Sequence, residues 1–90
     1  MLGKLACYEH AFAGPELDLP WLPARNPWSP AHSPAGSGSC TAVAVASGMI
    51  LGGTGSATGG SVRDPAAVCG IVGIKPTYEL CRRADVLPFV

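Results

Sequence analysis

The stretch Thr58–Thr77, TGGSVRDPAAVCGIVGIKPT, governs how the rest of the chain is read. Gly59 and Gly60 deliver Ser61 into a segment with a single charged pair, Arg63-Asp64, followed by Pro65 and an almost chargeless run. "GSVRDPAAVCG" predicts a short helix, begun near Ser61 and stopped at Gly70, because glycine takes the left-handed backbone that ends a helix. "IVGIKP" is a β-branched run closed by proline, which predicts a buried strand. Upstream, the alternation of valine and alanine in "AVAVA" does not separate strand from helix, since both residue types are apolar. Alanine content and Ser39 as an N-cap favour a buried helix from about Cys40 to Ile50. "MILGGTG" then predicts a short strand running into a glycine loop. Helix, strand, helix, strand is the alternation of an α/β fold.

Charge is sparse and balanced, six basic residues against six acidic, with a pI near neutrality. Such a balance leaves no electrostatic footprint for nucleic acid. The longest apolar run, "AVAVASGMILGG", falls short of the roughly 20 residues that span a bilayer, so a cytoplasmic location is the default. From Asn26 to Ile74 the formal charges are Arg63 and Asp64 alone. Exposed surface normally carries many charges, so this middle section reads as the interior of a larger protein, of which these 90 residues are a piece. The cysteines, Cys7, Cys40, Cys69 and Cys81, form no C-x-x-C pair, and His10 and His32 complete no zinc pattern. Each cysteine is expected to be a small buried apolar residue in a reducing compartment.

Leu5, Tyr8 and Phe12 recur at helical spacing and predict a short helix over Lys4 to Phe12. The following segment, "AGPELDLPWLPARNPWSPAHSPAGSG", holds six of the nine prolines and cannot be a regular helix or a central strand. It reads as an ordered, extended loop anchored by Trp21 and Trp28.

Two Gly/Ser clusters carry the chemistry: "AGSGSCT", Ala35 to Thr41, and "TGSATGGS", Thr54 to Ser61. Each precedes a predicted helix start, where unpaired N–H groups suit an anion. Neither has the lysine of a phosphate-binding P-loop, and the first fails a dinucleotide fingerprint at its third glycine. Taken alone, Gly-Gly-Ser reads first as a turn or a cap. As a nucleophile, Ser61 has a tight turn and N–H donors for an oxyanion, but no G-x-S-x-G elbow and no histidine placed to pair with it.

The succession "NPWSP…AGSGSCTAVAVASGM…TGSATGGSVRDPAAVCGIVGIKPTY" resembles the amidase signature family, whose members carry NPW-x-P, GGSSxGSxxAVAAGM and GTDTGGSIRxPAxxCGxVGLKPTYG. The likeness covers nearly the whole chain. It implies a fragment of an α/β/α sandwich with a mixed central sheet, and residues 1–90 as a partial amidase signature domain without the N-terminal lysine segment and the C-terminal part. It implies carboxamide hydrolysis through a Ser–Ser–Lys triad, with no cofactor and no metal. By position, Ser61 matches the acyl-forming nucleophile and Ser37 the bridging serine. The Gly36–Ser37 bond matches a cis peptide, and the backbone of Thr58, Gly59, Gly60 and Ser61 the oxyanion hole. Lys4 and Lys75 match other motifs, so the base is expected upstream of this segment and the isolated chain is expected to be inactive. The expected partner is a small-molecule amide, with no nucleic acid and no membrane. "DLPWLPARNPWSP" leans toward stand-alone amidases. The alternatives are a decayed non-catalytic homologue or a fragment of a glutamyl-tRNA amidotransferase A subunit. Four positions depart from the family: Ala57 replaces the aspartate of GTDTGGS, Gly38 a serine, Cys40 a loop glycine and Glu79 the glycine of PTYG. Ala57 removes the expected partner of Arg63, and Cys40 is expected to strain its loop.

Overall fold

A computed structural model describes residues 2–12, 14–15 and 17–88. Its regular elements are a 3-10 turn at Glu9–Ala11, helix α1 at Ser39–Ala46 and helix α2 at Arg63–Cys69. The two helices pack on each other. Their contact is built from small side chains: Ala42 and Ala44 of α1, and Pro65, Ala66 and Cys69 of α2, are all buried. Small residues let the two backbones come close, but they bury little apolar area.

Both helices end as their glycines dictate. Gly70 has φ +71°. Its N–H donates to the carbonyl of Ala67 at 3.4 Å, and that of Ile71 to Ala66 at 3.0 Å. Gly48, also left-handed, closes α1 in the same way, with Met49 N–H donating to Ala44 at 2.9 Å. This pair of backward bonds satisfies carbonyls that a helix end leaves open. Pro65 lies in the first turn of α2, where its missing N–H costs no intrahelical bond.

The helix starts differ from expectation. Gly38 is the N-cap of α1, and its carbonyl accepts the Ala42 N–H at 3.2 Å. Ser39 is the first helical residue, buried, with no capping bond from its side chain. Helix α1 also stops at Ala46 rather than Ile50. The helix expected over Lys4 to Phe12 is reduced to the Glu9–Ala11 turn, in which His10 and Ala11 have positive φ. So short a segment does not recover the cost of helix nucleation by itself.

The mixed central sheet is absent: among the described residues there is no strand. "MILGGTG" and "IVGIKP" are irregular backbone, and Leu51, Val72 and Ile74 stand exposed. The α/β expectation is therefore corrected for this chain. The physical reason is that a strand exists only by pairing. β-branched residues favour extended backbone, but the ladder needs a neighbour's N–H and C=O groups, and neither segment finds one among the described residues.

The Pro-rich segment is an irregular, largely exposed loop, pinned to α2 at one point. Buried Asn26 donates from Nδ2 to the Val68 carbonyl at 3.0 Å and accepts the Trp28 N–H at 3.0 Å. Trp28 Nε1 donates to the Cys69 carbonyl at 2.7 Å. The Asn-Pro-Trp motif thus serves the last carbonyls of α2 from outside the helix.

Candidate functional site

The two Gly/Ser clusters meet. Gly38 N–H donates to the Ser61 carbonyl at 3.1 Å. Contact is this close because residue 38 has no side chain: a Cβ there would lie 2.7 Å from the Ser61 oxygen. The glycine that departs from the family's serine is therefore the hinge of the contact. The preceding Gly36–Ser37 peptide bond is cis. Tyr8 fixes this loop from the far side, with its hydroxyl donating to the Ala35 carbonyl at 3.1 Å and its ring lying against Gly36.

Ser37 is buried, 5% exposed, and Ser61 is half-buried. The link between their segments is backbone to backbone. Ser37 borders an open cavity of about 700 Å³ that is also lined by Lys4, Leu5, Thr41, Ile50 and Gly53. Ser61 is not part of that lining. The structure brings the two serine segments together but does not put both side chains on one cavity.

Residues 58–60 form a bend and residues 61–62 a turn that leads into α2. Thr58 and Gly59 are exposed, and Gly60 is half-buried. Among the described residues, no backbone carbonyl accepts an N–H from Thr58, Gly59, Gly60 or Ser61. The carbonyls of the same segment are engaged instead. Gly60 C=O accepts the Asp64 N–H at 2.8 Å, and Gly59 C=O accepts Arg63 Nη2 at 2.7 Å. The segment's carbonyls are engaged, while its N–H groups have no backbone acceptor among the described residues.

Arg63 is the residue that sequence reasoning left without a role. Its expected partner is Ala57 in this chain, and it turns to the Gly59 carbonyl instead. Asp64 lies beside Gly60, its carboxylate filling the space a side chain there would need. The strain expected at Cys40 does not arise, because Cys40 is a regular α1 residue. Glu79, by contrast, has φ +68°, left-handed where the family carries glycine. Lys75 Nζ donates to the Pro76 carbonyl at 3.2 Å, at the surface.

The cysteines divide. Cys69 is fully buried, Cys40 half-buried, and Cys7 and Cys81 are exposed, so the expectation of four buried thiols holds only for Cys69. Burial pushes the Cys69 thiol above its ordinary pKa of 9.0, since the interior does not solvate a thiolate. No helix among the described residues is long and apolar enough to cross a membrane.

Residues 1–89 match the Amidase family. The chain belongs to the amidase signature family. Relatives include the A subunit of glutamyl-tRNA(Gln) amidotransferase from Bordetella avium, 49% identical over 88 residues, covering 98% of this chain and 17% of the relative. The protein of the same name from Exiguobacterium sibiricum is 47% identical over 98% of this chain and 18% of its own length. That from Synechococcus sp. is 46% identical over 99% of this chain and 18% of the relative. The chain thus spans less than a fifth of these relatives. No solved structure matches it.

These names correct two expectations. A small-molecule amide partner with nucleic acid excluded does not stand, because the relatives are named for a tRNA-linked reaction. The lean toward stand-alone amidases falls to the same finding. A charge balance taken over a segment that spans under a fifth of these relatives says nothing about nucleic acid met elsewhere in them.

Proposed function

We propose that this chain is the serine-bearing segment of an amide-transferring enzyme that breaks a carboxamide C–N bond through an acyl-enzyme. Ser61 Oγ attacks the carbonyl carbon. The developing oxyanion is met by N–H groups of Thr58, Gly59, Gly60 and Ser61. Ser37 passes the proton to the departing nitrogen, and water then releases the carboxylate. The base that takes the Ser61 proton is, by family resemblance, a lysine outside the positions matched here. In this reading the released nitrogen goes to a glutamyl-tRNA acceptor, as the relatives' name describes for them.

The observation that supports this reading most is the bond from Gly38 N–H to the Ser61 carbonyl. It holds the cis Gly36–Ser37 loop against the nucleophile's own backbone. Without a base, the isolated 90-residue chain takes no stoichiometric label from a fluorophosphonate probe. Within the complete protein that carries these residues, Ser61 is labelled, and Ser61→Ala lowers amide cleavage by several orders of magnitude. Labelling or turnover that survives Ser61→Ala would overturn the assignment. Glutamyl-tRNA left unamidated while the amide is still hydrolysed would overturn the acceptor.

A further inference from the structure

Ala6 and Cys7 form the wall between two cavities. On one side lie Ser37, Gly38 and Thr41, and on the other Ser39 and Cys40. Cys7 and Cys40 thus line one cavity together, at the start of α1. Tyr8, the next residue, is tied to Ala35 and packed on Gly36, which keeps this stretch at the start of α1. Cys7 is exposed, Cys40 is half-buried, and both thiols are free. Cys40 replaces a glycine of the family motif, so the pair belongs to this chain and not to the family pattern. We propose that Cys7 and Cys40 form a redox-responsive dithiol, closed by a hydroperoxide into an intrachain disulfide that ties residues 2–8 to the first turn of α1.

The chemistry balances with hydrogen peroxide as the oxidant. One thiolate attacks a peroxide oxygen, giving a sulfenic acid and one water. The second thiolate attacks that sulfur, forming the S–S bond as hydroxide leaves and is protonated to a second water. The two thiols lose two electrons, which reduce the peroxide. A disulfide needs its Cα atoms within about 4.4–6.8 Å. Residues 2–8 carry no helix or strand, so their backbone moves without breaking a ladder of hydrogen bonds. Of the other thiols, Cys69 is shielded by burial, while Cys81 is exposed but lines neither cavity. The linkage would fix the wall of the cavity that Ser37 borders.

The test treats the complete protein that carries these residues, reduced and at low micromolar concentration, with hydrogen peroxide, and maps the linkages among Cys7, Cys40, Cys69 and Cys81 by mass spectrometry. The expected product is a monomer lighter by two hydrogens, its main cross-linked peptide joining Cys7 to Cys40. Cys7→Ser and Cys40→Ser each abolish it, and Cys81→Ser leaves it unchanged. In guanidinium, loop-closure entropy favours the sequence-near pair Cys69–Cys81 by about fivefold, so the pairing reverses. A native product dominated by Cys7–Cys81, by intermolecular dimers or by separately over-oxidised cysteines would overturn the proposal. The same pairing ratio with and without guanidinium would also overturn it.

Discussion

Gly38 is the residue on which the site's geometry turns. Adding one methyl there sets a carbon against the Ser61 carbonyl oxygen, which is backbone and cannot rotate away. Gly38→Ala is expected to cost about 1–3 kcal/mol, the usual range for overpacking. Hydrogen exchange reads it directly: the residue-38 amide, protected in the parent by the Ser61 carbonyl, exchanges at least tenfold faster in the variant. Unchanged protection would show that the segments adjust without parting. Cys69 gives a pH dependence. Its folded pKa lies above the unfolded value, so the stability it contributes is fully present below about pH 9 and is lost as pH rises through the higher folded value. Helix α2 is expected to lose exchange protection above that range, and Cys69→Ala to flatten the dependence. In the native chain Cys69 is also alkylated more slowly than Cys7 or Cys81. At this scale the two Gly/Ser clusters were legible, because they are written in consecutive residues. The Arg63–Gly59 bond was not, because the partner is a carbonyl, which every residue has.

At the scale of elements, helix ends were readable where backbone chemistry is local. Gly70 stops α2 because a left-handed residue is needed there, and sequence names it. Ser39 misled: serine is a frequent N-cap, but Gly38 holds that position and the Ser39 side chain is buried. The Asn-Pro-Trp motif acts through space on the end of α2. Trp28→Phe keeps the ring and removes the indole donor to Cys69, and is expected to loosen α2 by about 1 kcal/mol. Amide exchange in the last turn of α2 should rise about fivefold, while that of α1 stays level. An equal rise in both helices would mean that Trp28 acts by packing rather than by its N–H.

Over the whole molecule, apolar surface is the dominant feature. Met49, Leu51, Val72, Ile74 and Leu80 are all exposed, while the buried apolar side chains among the described residues are small ones such as Ala42, Ala44, Pro65, Ala66 and Cys69. Burial of so few small side chains supplies little of the free energy that ordering a chain requires. The 90-residue chain is therefore expected to bind a hydrophobic dye and to self-associate as its concentration rises, both measurable by fluorescence and light scattering. A monodisperse monomer with a cooperative thermal transition and no dye binding would contradict this. The near absence of charge from Asn26 to Ile74 anticipated such a surface. The sheet expected from the β-branched runs does not form among the described residues, since pairing partners are a property of the surrounding structure.

The sequence by itself determined the family, the two Gly/Ser clusters and the left-handed glycine that ends α2, because each depends on residue identity at fixed spacing. Only the tertiary structure decided that Gly38 carries the contact between the clusters, that Arg63 holds the Gly59 carbonyl and that Trp28 serves the end of α2. It also decided that the β-branched runs stay unpaired. The physical reason is common to all four: backbone N–H and C=O groups are the same at every residue, so sequence cannot say which of them will meet.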